Sequence, residues 1–249
     1  MGNAKKLTTP SHWGIEIPTS GTTYWMFQPF AIEAGQNVVG GSPNRVYFDT
    51  PDVIHALQFF VGLAKTWKVE PSSLIGWTTA PSDFEAGKTA ILYHSSSSLA
   101  SILKSSSFPV GVAMLPNDKR FGSPTGGGNL YILNTGNAAR EQAAYSFVRW
   151  MTSPAIAAQW SIETGYVATS PAAYGTPKME QYLRHTPQAA VARNQLRYAE
   201  KELATNDGEE IQSLLSNACQ AALTSHVTPA QALAASQKQA EATLAQYAK

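Results

Sequence analysis

Residues 123–151 read SPTGGGNLYILNTGNAAREQAAYSFVRWM: three glycines and an asparagine stand directly before a short apolar run, and a helix-forming segment follows. Gly126, Gly127 and Gly128 lack a Cβ, so their backbone reaches positive φ and admits another backbone or a ligand at close range. Leu130–Leu133 has the length and composition of a buried strand. Ala138–Met151 places Ala139, Ala143, Phe147 and Trp150 at helical spacing on one face. The glycines make either an ordinary loop, or a hinge, or a binding wall, and the flanking sequence has to decide.

The alternation of strand and helix recurs on both sides. Thr50 and Pro51 are an N-cap and a first helical residue, and Val53, Leu57, Phe60, Ala64 and Trp67 recur at helical spacing, so Pro51–Lys68 is an amphipathic helix. DFEAGKTAILYH (83–94) reads as a short helix, a stop at Gly87 and a buried strand Thr89–Tyr93. SSSSLASILK (95–104) begins another helix, and FPVGVAMLP (108–116) is an apolar strand closed by proline. Ser153 and Pro154 start a helix that Gly165 ends in the left-handed conformation. Thr228, Pro229 and Gln231 form a capping-box signature before an alanine-rich terminal helix. Single strands alternating with helices give an α/β fold class.

The bulk composition narrows the function. Of 249 residues 43% are hydrophobic and only 14% charged, and the formal net charge is +1. With no basic run, a nucleic-acid partner is not expected. A lone Cys219 excludes an internal disulfide and any multi-cysteine zinc site. No apolar stretch reaches membrane-spanning length, and MGNAKKLTTP has no apolar core of a secretory signal, so no signal peptide is read in this chain. AKKLT reads as a helix entered in mid-course.

Chemistry-bearing motifs are few. EAGKTA (85–90) carries the GKT tail of a phosphate loop, but Ser82 stands where the fingerprint needs glycine, and a strand follows the lysine. The five histidines show no metal-ligand spacing, and no catalytic residue, metal or cofactor is expected. Asp83 and Glu85 form a candidate acid pair one turn before a strand, on a helix read as solvated, and the alternative reading they would carry is a glycoside hydrolase. YHSSSSLAS (93–101) places serine hydroxyls where a strand runs into a helix; they either cap the helix or meet a polyol, sugar or phosphate. Tyr24, Trp25, Trp77 and Tyr166 either fill a core or stack on a ligand, and Tyr166 follows the Gly165 stop, on a loop.

Four stretches taken together, DFEAGKTAILYHSSSSLASI, FPVGVAMLP, GGGNLYIL and AAQWSIETGYVATSPAAY, resemble extracytoplasmic solute-binding proteins of ABC importers. The similarity is to the maltose-binding class, most nearly its sn-glycerol-3-phosphate-binding branch, and it runs from AKKLT to TPAQAL. The resemblance implies a periplasmic-binding-protein-like two-lobe fold, here one largely complete lobe plus part of the other, with the N-terminal part lacking. Residues 1–125 would be the second-lobe α/β part, 126–174 the crossing segments and helices of the incomplete first lobe, and 175–249 a helical C-terminal part on the second lobe. TGGGN and TGYVATSPAAY would be the two crossings between lobes.

Function follows as an expectation. The chain would be the non-enzymatic solute-binding component of an ABC transporter, periplasmic in its parent form, working with ABC permease subunits. By motif, Ser95 would hydrogen-bond the solute, Gly127 and Gly128 would offer backbone, Tyr166 would contact it from the second crossing, and Tyr24 and Trp25 would supply aromatic faces. The branch's phosphate-holding arginine falls in ELATND (202–207), where this chain has Ala204. A neutral sugar or polyol is therefore favoured over glycerol-3-phosphate or a glycerophosphodiester, with Arg197 the basic residue available to compensate. The Phe147 and Trp150 face would lie bare unless the rest of the chain, a missing segment or a partner chain covers it.

Overall fold

The computed structural model describes residues 2–42 and 44–247. Along the chain run helices α1 (Gly2–Leu7), α2 (Thr23–Glu33), α3 (Pro51–Lys65), α4 (Thr79–Glu85) and α5 (Leu99–Ser105). Then come strand β1 (Ser123–Thr125) and helices α6 (Ala138–Met151), α7 (Pro154–Thr164), α8 (Pro171–Tyr174), α9 (Pro177–His185) and α10 (Ala189–Gln195). Strand β2 (Ala199–Lys201) and helices α11 (Gly208–Thr224) and α12 (Pro229–Leu244) complete the order. Two compact units result: one holds the chain up to His94, Leu115–Thr125 and everything from Leu196 on, and the other holds Ser95–Met114 and Gly126–Gln195.

The first unit is built around α2, which is apolar nearly all round and buried from Met26 to Glu33. Phe27 and Phe30 meet Phe60 of α3 edge-on, at ring separations of 5.9 and 5.4 Å. Helices α11 and α12 close over them with Ile211, Leu215, Cys219, Leu233 and Leu244, all buried. β1 and β2 pair in parallel, Pro124 opposite Glu200. The stretch 89–93 pairs in parallel with 13–16 through isolated bridges, Trp13 to Thr89 and Glu16 to Leu92. Buried polar side chains tie the loops to this core. Glu70 Oε1 accepts the Ile17 amide at 2.7 Å, and Gln237 spans Phe48 N–H and the Val46 carbonyl.

The second unit has a small core of Ala157, Ala158, Ala168, Ala173 and Met179, with Ile162, Tyr174, Tyr182 and Leu183 against it. Helix α7 supplies its centre and lies against α5, α8 and α9. Helix α6 buries none of its residues: Phe147 and Trp150 are each 54% exposed.

Most helices fall where periodicity places them, whereas of the strands only the 89–93 stretch pairs, and then through isolated bridges. Leu130–Leu133 and the run 108–116 belong to no sheet; the sheet found among the described residues is β1 with β2. The helix read as Pro51–Lys68 stops at Lys65: Trp67 N–H returns to the Gly62 carbonyl at 2.8 Å and Lys68 takes a positive φ of 52°. Thr50 has N-cap backbone angles, but its buried hydroxyl makes no capping bond. The capping box at Thr228 and Gln231 and the left-handed Gly165, at φ 93°, are both present. Contacts also divide the chain differently from the boundaries 1–125, 126–174 and 175–249: residues 95–114 and 175–195 pack with 126–174.

Candidate functional site

In the second unit the chain turns from the end of the 89–93 stretch into a single 3-10 turn, Ser96–Ser98, that runs into α5. Ser95 caps this turn. Its Oγ accepts the Ser97 amide at 3.3 Å and lies 3.1 Å from the Ser97 hydroxyl. The capping role is therefore realised, with Ser95 Oγ accepting from both the amide and the hydroxyl of Ser97.

Against this turn lies the end of α7. Gly165 comes so close that a Cβ there would stand 2.6 Å from the Ser96 carbonyl oxygen and 2.8 Å from Leu99 Cβ. Glycine is thus demanded twice, by its φ and by its neighbour. The next residue, Tyr166, is held by its backbone: its carbonyl accepts Ser161 Oγ at 2.5 Å and its amide donates to Thr164 Oγ1 at 3.2 Å. The residue is 43% exposed. The fold therefore brings the serine turn and the Tyr166 loop together, although they lie some seventy residues apart in the sequence.

Gly127 and Gly128 belong to the same unit, but neither has a positive φ and neither has an atom within 4 Å of where a Cβ would stand. Nothing within the described residues demands glycine there, so the hinge and close-approach arguments from sequence find no internal cause. What remains is open clearance beside the backbone.

The aromatic residues singled out in the first unit divide. Tyr24 is half-buried, its amide donates to Ser216 Oγ at 3.0 Å and its hydroxyl donates to Glu202 at 2.9 Å. Burial first, and then that carboxylate, push its ionisation well above the ordinary phenol value. This is a tethered structural tyrosine. Trp25 is partly buried against the main core. Sequence reasoning missed His94, whose ring lies 4.3 Å from the Trp77 ring and whose Nε2 is 3.0 Å from the Trp77 carbonyl. Its place directly before the serine run was the available signal.

The acid pair does not form. Asp83 and Glu85 are two residues apart on the seven-residue α4, a spacing that does not face side chains toward each other. Asp83 is instead tied to Lys88 at 2.7 Å. A cleft of about 340 Å³ in the first unit is lined by Gly35, Asn37, Gly40, Tyr47, Arg120 and Lys201 among others, and by none of the predicted ligand residues. Its cation Arg120 is paired with Glu200, which also accepts from Asn37 at 3.0 Å. Arg197 is exposed and lies over the Tyr198 ring at 5.1 Å, and Ala204 is exposed.

Residues 2–187 match the family described as bacterial extracellular solute-binding protein. The chain belongs to that family. Among curated relatives, a periplasmic sn-glycerol-3-phosphate-binding protein of Yersinia pestis is 27% identical over 95% of this chain and 55% of its own length. Among solved structures, a Mycobacterium tuberculosis protein in complex with glycerophosphocholine superposes with a TM-score of 0.86 at 21% identity, over 98% of this chain and 61% of that one. A maltose/maltodextrin-binding domain from Bdellovibrio bacteriovorus bound to maltotriose gives 0.80 at 17%, over 98% and 65%. These likenesses show the fold, α/β and of the two-lobe binding-protein kind. The chain spans about half the length of the curated relatives it matches.

Proposed function

We propose that this chain is part of the solute-binding component of an ABC transporter, extracytoplasmic in its parent form, and that its solute is a neutral polyhydroxy compound, a sugar or polyol. The observation that carries the proposal is the seating of the Tyr166 loop on the serine turn through Gly165. That seating offers a hydroxyl, Ser95, and an exposed phenol ring, Tyr166, from one small region. Hydroxyls that donate and accept beside an aromatic face suit a sugar, whose ring is polar at its rim and apolar on its faces. Gly127 and Gly128 would add backbone amides. No step of this reading needs a catalytic group or cofactor.

A neutral solute is preferred on charge. Ala204 supplies no cation, Arg120 is spent on Glu200, and Arg197 is engaged with a tyrosine ring. A glycerophosphate remains the second reading, favoured by the Yersinia relative's printed specificity. The test is a nuclear magnetic resonance titration with maltotriose and, separately, sn-glycerol-3-phosphate, following the amides of Ser95, Ser97 and Tyr166. Because the chain covers only part of its relatives' length, weak binding is expected. Maltotriose should shift these amides, and Ser95→Ala and Tyr166→Ala should each weaken the response about 10-fold, the loss of one hydrogen bond or one ring contact. Tighter binding of the phosphate, or shifts confined to other residues, would overturn the neutral-solute reading.

A further inference from the structure

The cleft of about 340 Å³ in the first unit shares no residue with the serine turn or the Tyr166 loop, and its volume falls within the range of small-molecule sites. It opens where the chain leaves α2, beside the paired strands β1 and β2. Its acceptors are already taken. Glu200 receives Arg120 Nη1 on one carboxylate oxygen and Asn37 Nδ2 on the other, the latter at 3.0 Å. Asn37 Oδ1 accepts Gln28 Nε2 at 2.8 Å, and the Lys201 carbonyl accepts Asn37 Nδ2 at 3.1 Å. The carbonyls that end α2 are occupied too. That of Ile32 holds the Gly35 amide and Arg120 Nε, and that of Glu33 holds the amides of Lys119 and Arg120. The negative end of the helix is thus covered by donors.

The donors of the cleft are not taken. Among the described residues the Gly41 amide, the Tyr47 hydroxyl and the Lys201 ammonium make no hydrogen bond, and Lys201 makes no ion pair. Arg120 spends Nε and Nη1, which leaves its Nη2 edge. Charge follows the same pattern. Arg120 and Glu200 offset each other. So do Lys119 and Asp52, at 2.6 Å, although the Asp52 carboxylate approaches Gly35 of the cleft. Lys201 remains in the lining, and the Arg45 guanidinium lies beside it over the Tyr47 ring, 5.3 Å from the centroid. Spent acceptors, open donors and an uncompensated positive charge suit a ligand that is anionic and rich in acceptors.

We propose that this cleft binds a small hydroxylated monocarboxylate, of sugar-acid size, at a site separate from the one that Ser95 and Tyr166 offer. The carboxylate takes Lys201 and the free edge of Arg120, and the hydroxyls take the Gly41 amide and the Tyr47 phenol. A single negative charge matches Lys201. A phosphate monoester carries about 1.5 to 2 charges at neutral pH, and its excess would sit beside Glu200.

The test is a nuclear magnetic resonance titration of the full chain in about 150 mM salt, where exposed charges are largely screened. Three probes are used: gluconate, glucitol, which has similar hydroxyls and no carboxylate, and inorganic phosphate. Gluconate should shift the amides of Asn37, Gly41 and Lys201 saturably, and neither other probe should match it. Lys201→Met should weaken gluconate binding about 5-fold. Glu200→Gln, which keeps an acceptor for Arg120 and removes a like charge, should strengthen it by about the same factor. A gain of affinity cannot come from misfolding, so the second variant guards the first. Equal response to glucitol, tighter binding of phosphate, no saturable shift, an unchanged Lys201→Met or a weakened Glu200→Gln would each overturn the proposal. Gluconate shifts confined to Ser95, Ser97 and Tyr166 would overturn it as well, while leaving a solute site at the serine turn standing.

Discussion

Gly165 tests how the Tyr166 loop is held. Gly165→Ala meets two separate penalties. The left-handed backbone costs a residue with a Cβ about 1 kcal/mol. The new methyl would also stand 2.6 Å from the Ser96 carbonyl, 2.8 Å from Leu99 Cβ and 3.0 Å from the Ala100 amide nitrogen. Those neighbours are backbone and a Cβ, which cannot swing aside, so the end of α7 and the serine turn must separate. Overpacking of this kind costs about 1–3 kcal/mol, giving a total of about 2–4 kcal/mol. Gly87 provides the control, because it too has a positive φ, 73°, but nothing lies within 4 Å of its missing Cβ. Gly87→Ala should therefore cost only about 1 kcal/mol, and Gly87→Asn less, since asparagine tolerates this conformation. Gly165→Asn should be as damaging as Gly165→Ala. Urea unfolding followed by hydrogen exchange in α5 and α7 reads both series. Equal losses at the two glycines, or rescue of Gly165 by asparagine, would refute the claim that crowding fixes the loop.

Three further outcomes follow from the first unit. Burial holds the Glu70 carboxyl up at about 8, and burial followed by the Asp83 charge holds Glu16 at about 7. The folded chain therefore binds more protons than the unfolded one, so this stability is full below the ordinary carboxylate range and is lost as pH rises toward 7 to 8. Urea midpoints should fall between about pH 5 and pH 8 by an amount equivalent to about 2–4 kcal/mol for Glu70 alone. Glu70→Gln, which keeps an acceptor for Ile17 N–H, should flatten that slope, and stability rising over this range would contradict the assignment. Gln237→Ala should cost about 2–4 kcal/mol in chemical denaturation, because the Phe48 amide, now bonded at 2.7 Å, would be buried without an acceptor; a loss below about 0.5 kcal/mol would show that water or a neighbour replaces it. Cys219 is fully buried with its ionisation pushed up by desolvation, so a thiol reagent should label it only as fast as the chain opens. Rapid labelling of the native protein would be the contrary result.

Local sequence determined most of the helices, the caps that act within a few residues, and the family. Thr228 and Gly165 act within a few residues of themselves, through capping bonds or a required φ, so their roles are visible in one dimension. Apolar spacing likewise marks the face of α3 that meets α2. Tertiary structure alone decided which candidate residues stand free. Tyr24 is bound to Glu202, 178 positions away, and Trp77 to His94, 17 away, and nothing in their own surroundings announces either pairing. The strands were the clearest divergence. Composition identifies Leu130–Leu133 as wanting a sheet, but a strand is stabilised by hydrogen bonds to another segment, and among the described residues that segment does not exist. A helix closes its own hydrogen bonds and a strand cannot, which is why one was legible from sequence and the other depended on the rest of the fold.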